Sequence, residues 1–309
     1  MDLYGAVEAG GTKFVCAVAT GYDKILSEIS FSTETPEKTL AKVVNYFMDY
    51  QQRSGTKLSA IGVGCFGPVD LQKTSETYGY ITTTPKQGWR NVDITGFLEK
   101  QLNLPIGFDT DVNAAAFGEY LWGAGRELDV ILYLTVGTGI GGGLYVHGKP
   151  LHGLMHPEMG HVLIQQDKAI DPFAGCCPYH SGCLEGLASG RAVDLRWGAH
   201  ASQLPDNHQA WELEADYLSQ GLMNYILVVS PQKIIIGGGL MHKTVLYTLI
   251  RKKVIEKLNS YIPVPMIQKN IDNYIVSPGL GTKSGIYGAI GLAMSVPGLT
   301  SAKAQLANE

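Results

Sequence analysis

Cys177, His180 and Cys183 crowd into the middle of the chain with the spacing C-x-x-H-x-x-C. His161 stands upstream, at the end of Pro157-Glu158-Met159-Gly160-His161. Two thiolates and two imidazoles suit a tetrahedral structural zinc site, with every position filled by protein. The short spacing lets one tight turn present three ligands, and His161 ties that turn to a neighbouring segment. Cys176, next to Cys177, is an alternative ligand in its place. A chance grouping of buried thiols with a surface histidine is the competing explanation. Two acids, Glu158 and Glu185, lie close in sequence to these ligands. The stretch Met155 to Glu185 therefore reads as a metal-pinned lid that sets both acids beside a bound substrate.

A second group of residues suggests proton transfer. A short strand, Pro105 to Asp109, runs into a helix, Val112 to Trp122, and Asp111 falls at the junction with Asn113 beside it. A carboxylate there can take a proton from a substrate hydroxyl, while the amide holds a sugar ring. Asp111 is also a good helix N-cap, and capping alone would explain it.

Glycine clusters make a third group. Ala9-Gly10-Gly11-Thr12 separates a strand at Tyr4 to Glu8 from one at Lys13 to Ala19. Without Cβ atoms such a tip can turn backbone N–H groups toward an anion, with the Thr12 hydroxyl and the Lys13 charge adding to it. The pattern returns at Val130 to Val136, Gly137-Thr138-Gly139-Ile140-Gly141-Gly142-Gly143, and Leu144 to Val146. Two halves that each open on a glycine-tipped hairpin could grip one phosphate chain. Gly237-Gly238-Gly239 ends a strand at Lys233 to Ile236 and suits an adenine or ribose. Gly67 and Pro68 end a strand at Ala60 to Phe66. Ligands of α/β sheets sit beyond the carboxyl ends of strands, which makes this pair a candidate cleft rim. No glycine run has the Walker ending or the nicotinamide-binding spacing.

The elements that must position these groups alternate between strand and helix, so the chain is α/β. Ile25 to Ser32 reads as a third strand, and Pro36 to Arg53 as a helix capped by Thr35. Lys73 to Gly88 reads as a polar, mobile loop and Asp93 to Leu102 as a helix. Leu184 to Trp197 reads as one helix carrying Glu185 on its first turn, and Trp211 to Val229 as a longer one. Ile271 to Val276 gives a last strand and Gly285 to Met294 a last helix, before a frayed tail at Ser301 to Glu309. The crossing between halves is expected around Asn113 to Trp122.

Net charge is -4 with no basic run, which argues against a nucleic-acid partner. No signal peptide is visible, and no apolar run approaches the ~20 residues that span a bilayer. Five cysteines, three of them crowded, fit a reduced cytoplasmic protein with a metal site.

Taken in order, Glu8-Ala9-Gly10-Gly11-Thr12-Lys13, Thr110-Asp111-Val112-Asn113, Gly137 to Gly143, Glu158-Met159-Gly160-His161 and Cys177 to Glu185 resemble the ROK family of sugar kinases and repressors, closest to its bacterial zinc-containing fructokinases. The resemblance implies an actin/hexokinase-like (ribonuclease H-like) fold, with two α/β domains and a central cleft. The expected domains are 1–115 and 116–284, with a helix at about 285–300 returning to the first. The implied activity is phosphorylation of fructose at its 6-hydroxyl by ATP with Mg2+. Asp111 matches the base, and Asn113, Glu158, His161 and Glu185 the sugar contacts. Gly10, Gly11, Thr12, Lys13, Gly137, Thr138 and Gly139 match the phosphate turns, and Gly237, Gly238 and Gly239 the adenosine side. His161, Cys177, His180 and Cys183 match the ligands of one structural Zn2+. The resemblance also implies a homodimer. Glu8 stands where many members have Asp, and His180 where the commoner zinc pattern has Cys. Kinases for mannose, glucose or N-acetylmannosamine share the scaffold. The family's repressors carry an N-terminal helix-turn-helix, and here the first strand begins almost at Met1.

Overall fold

Two five-stranded sheets with the same internal pattern organise the chain in the computed structural model, which describes residues 2–22 and 24–298. The expected frayed tail, and residues 299 and 300 of the expected last helix, lie outside the described residues.

In the first sheet β1 (Tyr4–Ala9) pairs antiparallel with β2 (Lys13–Ala19), and β2 with β3 (Ile25–Ser32). Helix α1 (Pro36–Ser54) leads to β4 (Ala60–Cys65), parallel to β1. A small antiparallel pair, β5 (Tyr80–Ile81) and β6 (Val92–Asp93), precedes α2 (Ile94–Leu102). Strand β7 (Ile106–Thr110) is parallel to β4 and feeds α3 (Asp111–Trp122). The order is β3-β2-β1-β4-β7.

The second sheet repeats this with β8 (Val130–Val136) antiparallel to β9 (Ile140–Val146), and β10 (Lys149–Pro150) beyond it. Helices α4 (Leu184–Ala188), α5 (Gly190–Trp197) and α6 (Ala210–Val229) precede β11 (Lys233–Gly237), parallel to β8. Then come α7 (Val245–Leu258), the short α8 (Pro265–Gln268) and α9 (Ile271–Tyr274), and β12 (Ile275–Val276), parallel to β11. Helix α10 (Ser284–Met294) closes the described chain.

Contacts divide the chain into two units. The first comprises the described residues up to Arg126, Pro150–His156 and those from Lys283; the second comprises Glu127–Lys149 and Pro157–Thr282. In the first unit strand alternation sends side chains to two separate cores. Val7, Phe14, Cys16 and Val18 pack with Leu40, Val43 and Phe47 of α1 and Leu98 of α2. Tyr4, Ala6, Val15 and Ala17 pack with Ile286, Ala289, Ile290 and Ala293 of α10. Helix α10 lies so close to α3 that a Cβ on Gly288 would overlap the Ala114 carbonyl. The Ser284 hydroxyl donates to buried Glu119 Oε1 at 2.7 Å and fixes where α10 starts. In the second unit one core joins Leu132, Leu134 and Leu144 to Leu187, Leu218, Leu222 and Ile250.

Several expectations need correction. The boundary expected at 115–116 falls inside α3, which stays wholly with the first unit, as does the expected crossing at Asn113 to Trp122. The helix expected over Leu184 to Trp197 is broken at Ser189, which takes extended backbone and caps α5 through Ala192 N at 3.2 Å. The break lets Gly190 N reach Gly137 O at 2.7 Å. Ile271–Tyr274 is a helical turn, leaving only Ile275 and Val276 as strand. The stretch expected as loop contributes β5. Helix α7 went unforeseen, although Leu246, Ile250, Val254 and Leu258 recur every fourth residue and are all buried. Among the described residues no helix is long and apolar enough to cross a membrane.

Candidate functional site

At the junction of β7 and α3, the helix is capped by Thr110, whose Oγ1 accepts from Asn113 N at 3.0 Å. That cap is worth about 1 kcal/mol. It also resolves the competition over Asp111, because the neighbouring residue does the capping. Asp111 Oδ1 accepts from Val112 N at 2.9 Å. Burial pushes its carboxyl up to about 6. Glu8 on β1 is pushed up to about 7, first by burial and then by the charge of Asp111. Desolvation and like charge both disfavour the ionised form of a carboxyl.

Asp109, just before the cap, is 2% exposed. Its Oδ1 accepts from Thr110 N at 2.8 Å and from Asn113 Nδ2 at 2.7 Å. Its Oδ2 lies 2.9 Å from His152 Nε2. Asn113 is itself 2% exposed, so its amide nitrogen faces this buried carboxylate. Gly67 lies against the ring of His156, and Val69 N donates to His156 Nε2 at 3.1 Å. The Pro68 carbonyl accepts from Thr82 N at 2.8 Å and from its hydroxyl at 3.0 Å. The hairpin tip is closed by Gly10 N to Lys13 O at 3.0 Å and braced by Thr33 Oγ1 on Gly10 O at 2.7 Å. Gly11 lies between, and Thr12 and Lys13 are exposed.

The second unit gathers the thiols and imidazoles. The ligand atoms of His161, Cys177, His180 and Cys183 all lie within 4.8 Å of one another. His161 Nδ1 is 3.7 Å from Cys177 Sγ and 3.6 Å from Cys183 Sγ, and His180 Nδ1 is 3.8 Å from Cys177 Sγ. Tetrahedral zinc bonds would set sulfur and nitrogen about 3.6 Å apart. The cluster can therefore hold a metal ion. Cys176 is not among the four; its thiol meets Ser189 Oγ at 3.7 Å. Glu158 Oε2 lies 4.0 Å from His161 Nε2, the nitrogen turned away from the thiols.

The β8–β9 tip is more enclosed than the first. Gly137 N donates to Gly139 O at 2.9 Å, and Glu185 Oε2 accepts from Ile140 N at 3.0 Å, close against Gly139. Gly137 and Thr138 line a cavity of about 590 Å3 with Gly190, Arg191, Asp194, His200 and Gly239 among its other walls. Gly238 makes the turn into that wall. Its φ is +96°, and a Cβ there would overlap the Val136 backbone. Gly237 instead packs beside Tyr133 and Pro278. Lys243, also lining the cavity, is held by Leu204 O at 2.6 Å and Asp206 Oδ1 at 3.2 Å.

Within the first unit the structure thus brings together Asp111, Asn113 and Glu8. Within the second it brings together Glu158 with the metal ligands, and Glu185 with the glycine tip. Sequence reasoning missed Asp109, His152 and the cavity walls at Arg191, Asp194 and His200. Three histidines in ten residues, His152 to His161, were the available signal for the first two.

The ROK family profile matches residues 4–296. A Bacillus subtilis (strain 168) protein, named only provisionally as a fructokinase, is 48% identical over 94% of this chain and 95% of its own length. The fructokinase of Lactococcus lactis subsp. cremoris is 42% identical over 89% of this chain and 91% of its own. The crystal structure of the ROK hexokinase from Thermus thermophilus superposes with a TM-score of 0.74 at 25% identity, covering 94% of this chain and 97% of that one. The fold is accordingly that of two α/β domains of the actin/hexokinase-like, ribonuclease H-like class.

Proposed function

The chain belongs to the ROK family, and from that premise we propose that it is an ATP-dependent fructokinase. Asp111 takes the proton of the fructose 6-hydroxyl as that oxygen attacks the γ-phosphorus of ATP. The new O–P bond forms as the bond to the β-phosphate oxygen breaks, and ADP leaves. The observation that carries this reading is Asp111 itself. It opens α3 without being needed as the cap, and burial raises its carboxyl to about 6. A base is most useful when its pKa lies near the working pH.

The remaining assignments follow the same reading. Glu158, His161 and Glu185 take sugar hydroxyls, and Asn113, its amide nitrogen anchored on Asp109, helps hold the sugar beside Asp111. ATP enters as its Mg2+ complex, with the nucleoside in the cavity walled by Gly137, Thr138 and Gly239. Gly10, Gly11, Thr12 and Lys13 serve the phosphates. Phosphoryl transfer calls mainly for such positioning and charge stabilisation. The metal is one structural Zn2+ on His161, Cys177, His180 and Cys183, the donor set zinc prefers. It supplies rigidity to the segment that carries Glu158 and Glu185. The same proposal has a cytoplasmic homodimer, whose dimeric state is tested by sedimentation of the purified protein.

Coupled ADP release measured with fructose, glucose, mannose and N-acetylmannosamine decides the substrate. Fructose should give the highest kcat/KM. A higher value with another hexose would overturn the sugar assignment, and no ADP release with any of them would overturn the activity.

A further inference from the structure

The short segment Pro150–His156 belongs to the first unit, although the chain on both sides of it belongs to the second. Three sets of bonds hold it there. His152 Nε2 meets Asp109 Oδ2 at 2.9 Å. Gln72 Nε2 donates to the carbonyls of Gly153 and Leu154 at 3.0 and 3.1 Å. Val69 N donates to His156 Nε2 at 3.1 Å. The last two would anchor a loop by themselves. The first is of another kind, because it joins a half-open imidazole to a buried carboxylate whose other oxygen is already taken by Thr110 and Asn113.

A buried carboxylate facing one ring nitrogen makes that nitrogen the donor and fixes the tautomer and the ring plane. The Asp109 bond also raises the pKa of His152. With Nε2 so committed, Nδ1 is the nitrogen left to act, and none of the described residues bonds it. The side chain is 36% exposed. Nε2 also lies 3.4 Å from Asn113 Nδ2, on the first turn of α3 that Asp111 opens. Asn113 Oδ1 is buried there with no partner. An unmatched acceptor of this sort costs roughly 1–3 kcal/mol until a donor arrives.

We propose that His152 is a sugar-binding residue, its Nδ1–H donating to an oxygen of the same sugar whose hydroxyl Asp111 deprotonates, and that Asp109 is the positioning residue that holds the ring for it. This rests on the reading of Asp111 as the base of a sugar kinase. A histidine–carboxylate pair that served only to anchor this segment would contribute to stability and leave sugar affinity unchanged.

Two substitutions separate the ring nitrogens. His152→Gln places an amide near Nε2, keeping the Asp109 bond and removing the Nδ1 donor. His152→Asn places an amide near Nδ1 and breaks the Asp109 bond. The hexose that the wild type turns over best is titrated calorimetrically into all three proteins, and KM is measured for both substrates. His152→Gln should bind the sugar about 10- to 100-fold more weakly, as expected for losing a charge-assisted hydrogen bond, with ATP KM and melting unchanged. His152→Asn should recover part of that affinity. Wild-type sugar affinity in His152→Gln overturns the proposal, and so does an equal rise in both KM values with a lowered melting temperature. Asp111→Asn with wild-type turnover would instead overturn the base assignment, and the sugar affinities would still report on His152.

Discussion

Strands β7 and β12 hold the same place in their sheets, last in the order and parallel to the neighbouring strand, and each leads to a helix. Their ends differ. β7 runs out through Asp109, Thr110 and Asp111, a polar group buried in a network of cap, amide and imidazole. β12 runs out through Ser277 and Pro278, with no carboxylate, toward a helix whose small residues pack on the first sheet. The two hairpin tips diverge in the same manner. Thr12 and Lys13 stand exposed at the first, while the second is backed by Gly190 and Glu185 and walls a cavity. A repeated topology supplies two equivalent frames, and a few residues at strand ends decide that one frame carries the proposed base and the other the proposed nucleotide and metal sites.

The largest expected effect tests that asymmetry directly. Asp111→Asn should lower kcat by about 10²–10⁴ with little change in melting, as expected for losing a general base. Ser277→Ala, after the equivalent strand, should leave kcat unchanged. Equal losses from both would erase the distinction between the two strand ends.

The metal site should matter to stability. Stripping the protein with a strong chelator, or Cys177→Ser, should lower the melting temperature by at least about 4 °C, since metal binding contributes to folding free energy. Cys176→Ser should not, because its thiol faces Ser189. Unchanged melting after verified metal removal would count against the site.

The pH dependence follows from the raised carboxyl. A base works only when deprotonated, and Asp111 holds its proton up to about 6. Turnover should therefore fall about tenfold per pH unit below that value and level off above it. A kcat profile flat down to pH 4.5 would be incompatible with this assignment.

Smaller effects probe the frames themselves. Gly238→Ala places a side chain at positive φ against Val136 and should cost more than about 1 kcal/mol in denaturant melts, with a higher KM for ATP. Thr110→Ala should cost about 0.5–2 kcal/mol, and Thr110→Ser much less, because the capping oxygen is kept.

Much of this was legible in the residues. Hydrophobic runs located β1, β2, β4, β8, β9 and β11, because buried strands leave little room for polar side chains, whereas the exposed β3 showed only an apolar–polar alternation. The C-x-x-H-x-x-C spacing and His161 named the metal cluster, and geometry then chose Cys177 over Cys176. What escaped depended on partners distant in sequence. Nothing local tells that Ser189 will break a helix so that Gly190 can reach Gly137, or that Asp109 will find His152 across 43 positions. Asp111 and Thr110 are both competent caps, and only the backbone angles of Thr110 decide between them. Ile271–Tyr274, expected as strand, is a single helical turn just ahead of β12, and its Asp272 and Asn273 are poor strand formers.

The chain passes from one unit to the other after Arg126, Lys149, His156 and Thr282. Neither unit can then be produced as an uninterrupted gene fragment. A stop codon between residues 240 and 283 would strip α10 from one face of the first sheet and leave Tyr4, Ala6 and Ala17 facing water. Sticky, insoluble product is the expected phenotype of such nonsense alleles, even though every residue assigned here to chemistry would still be translated.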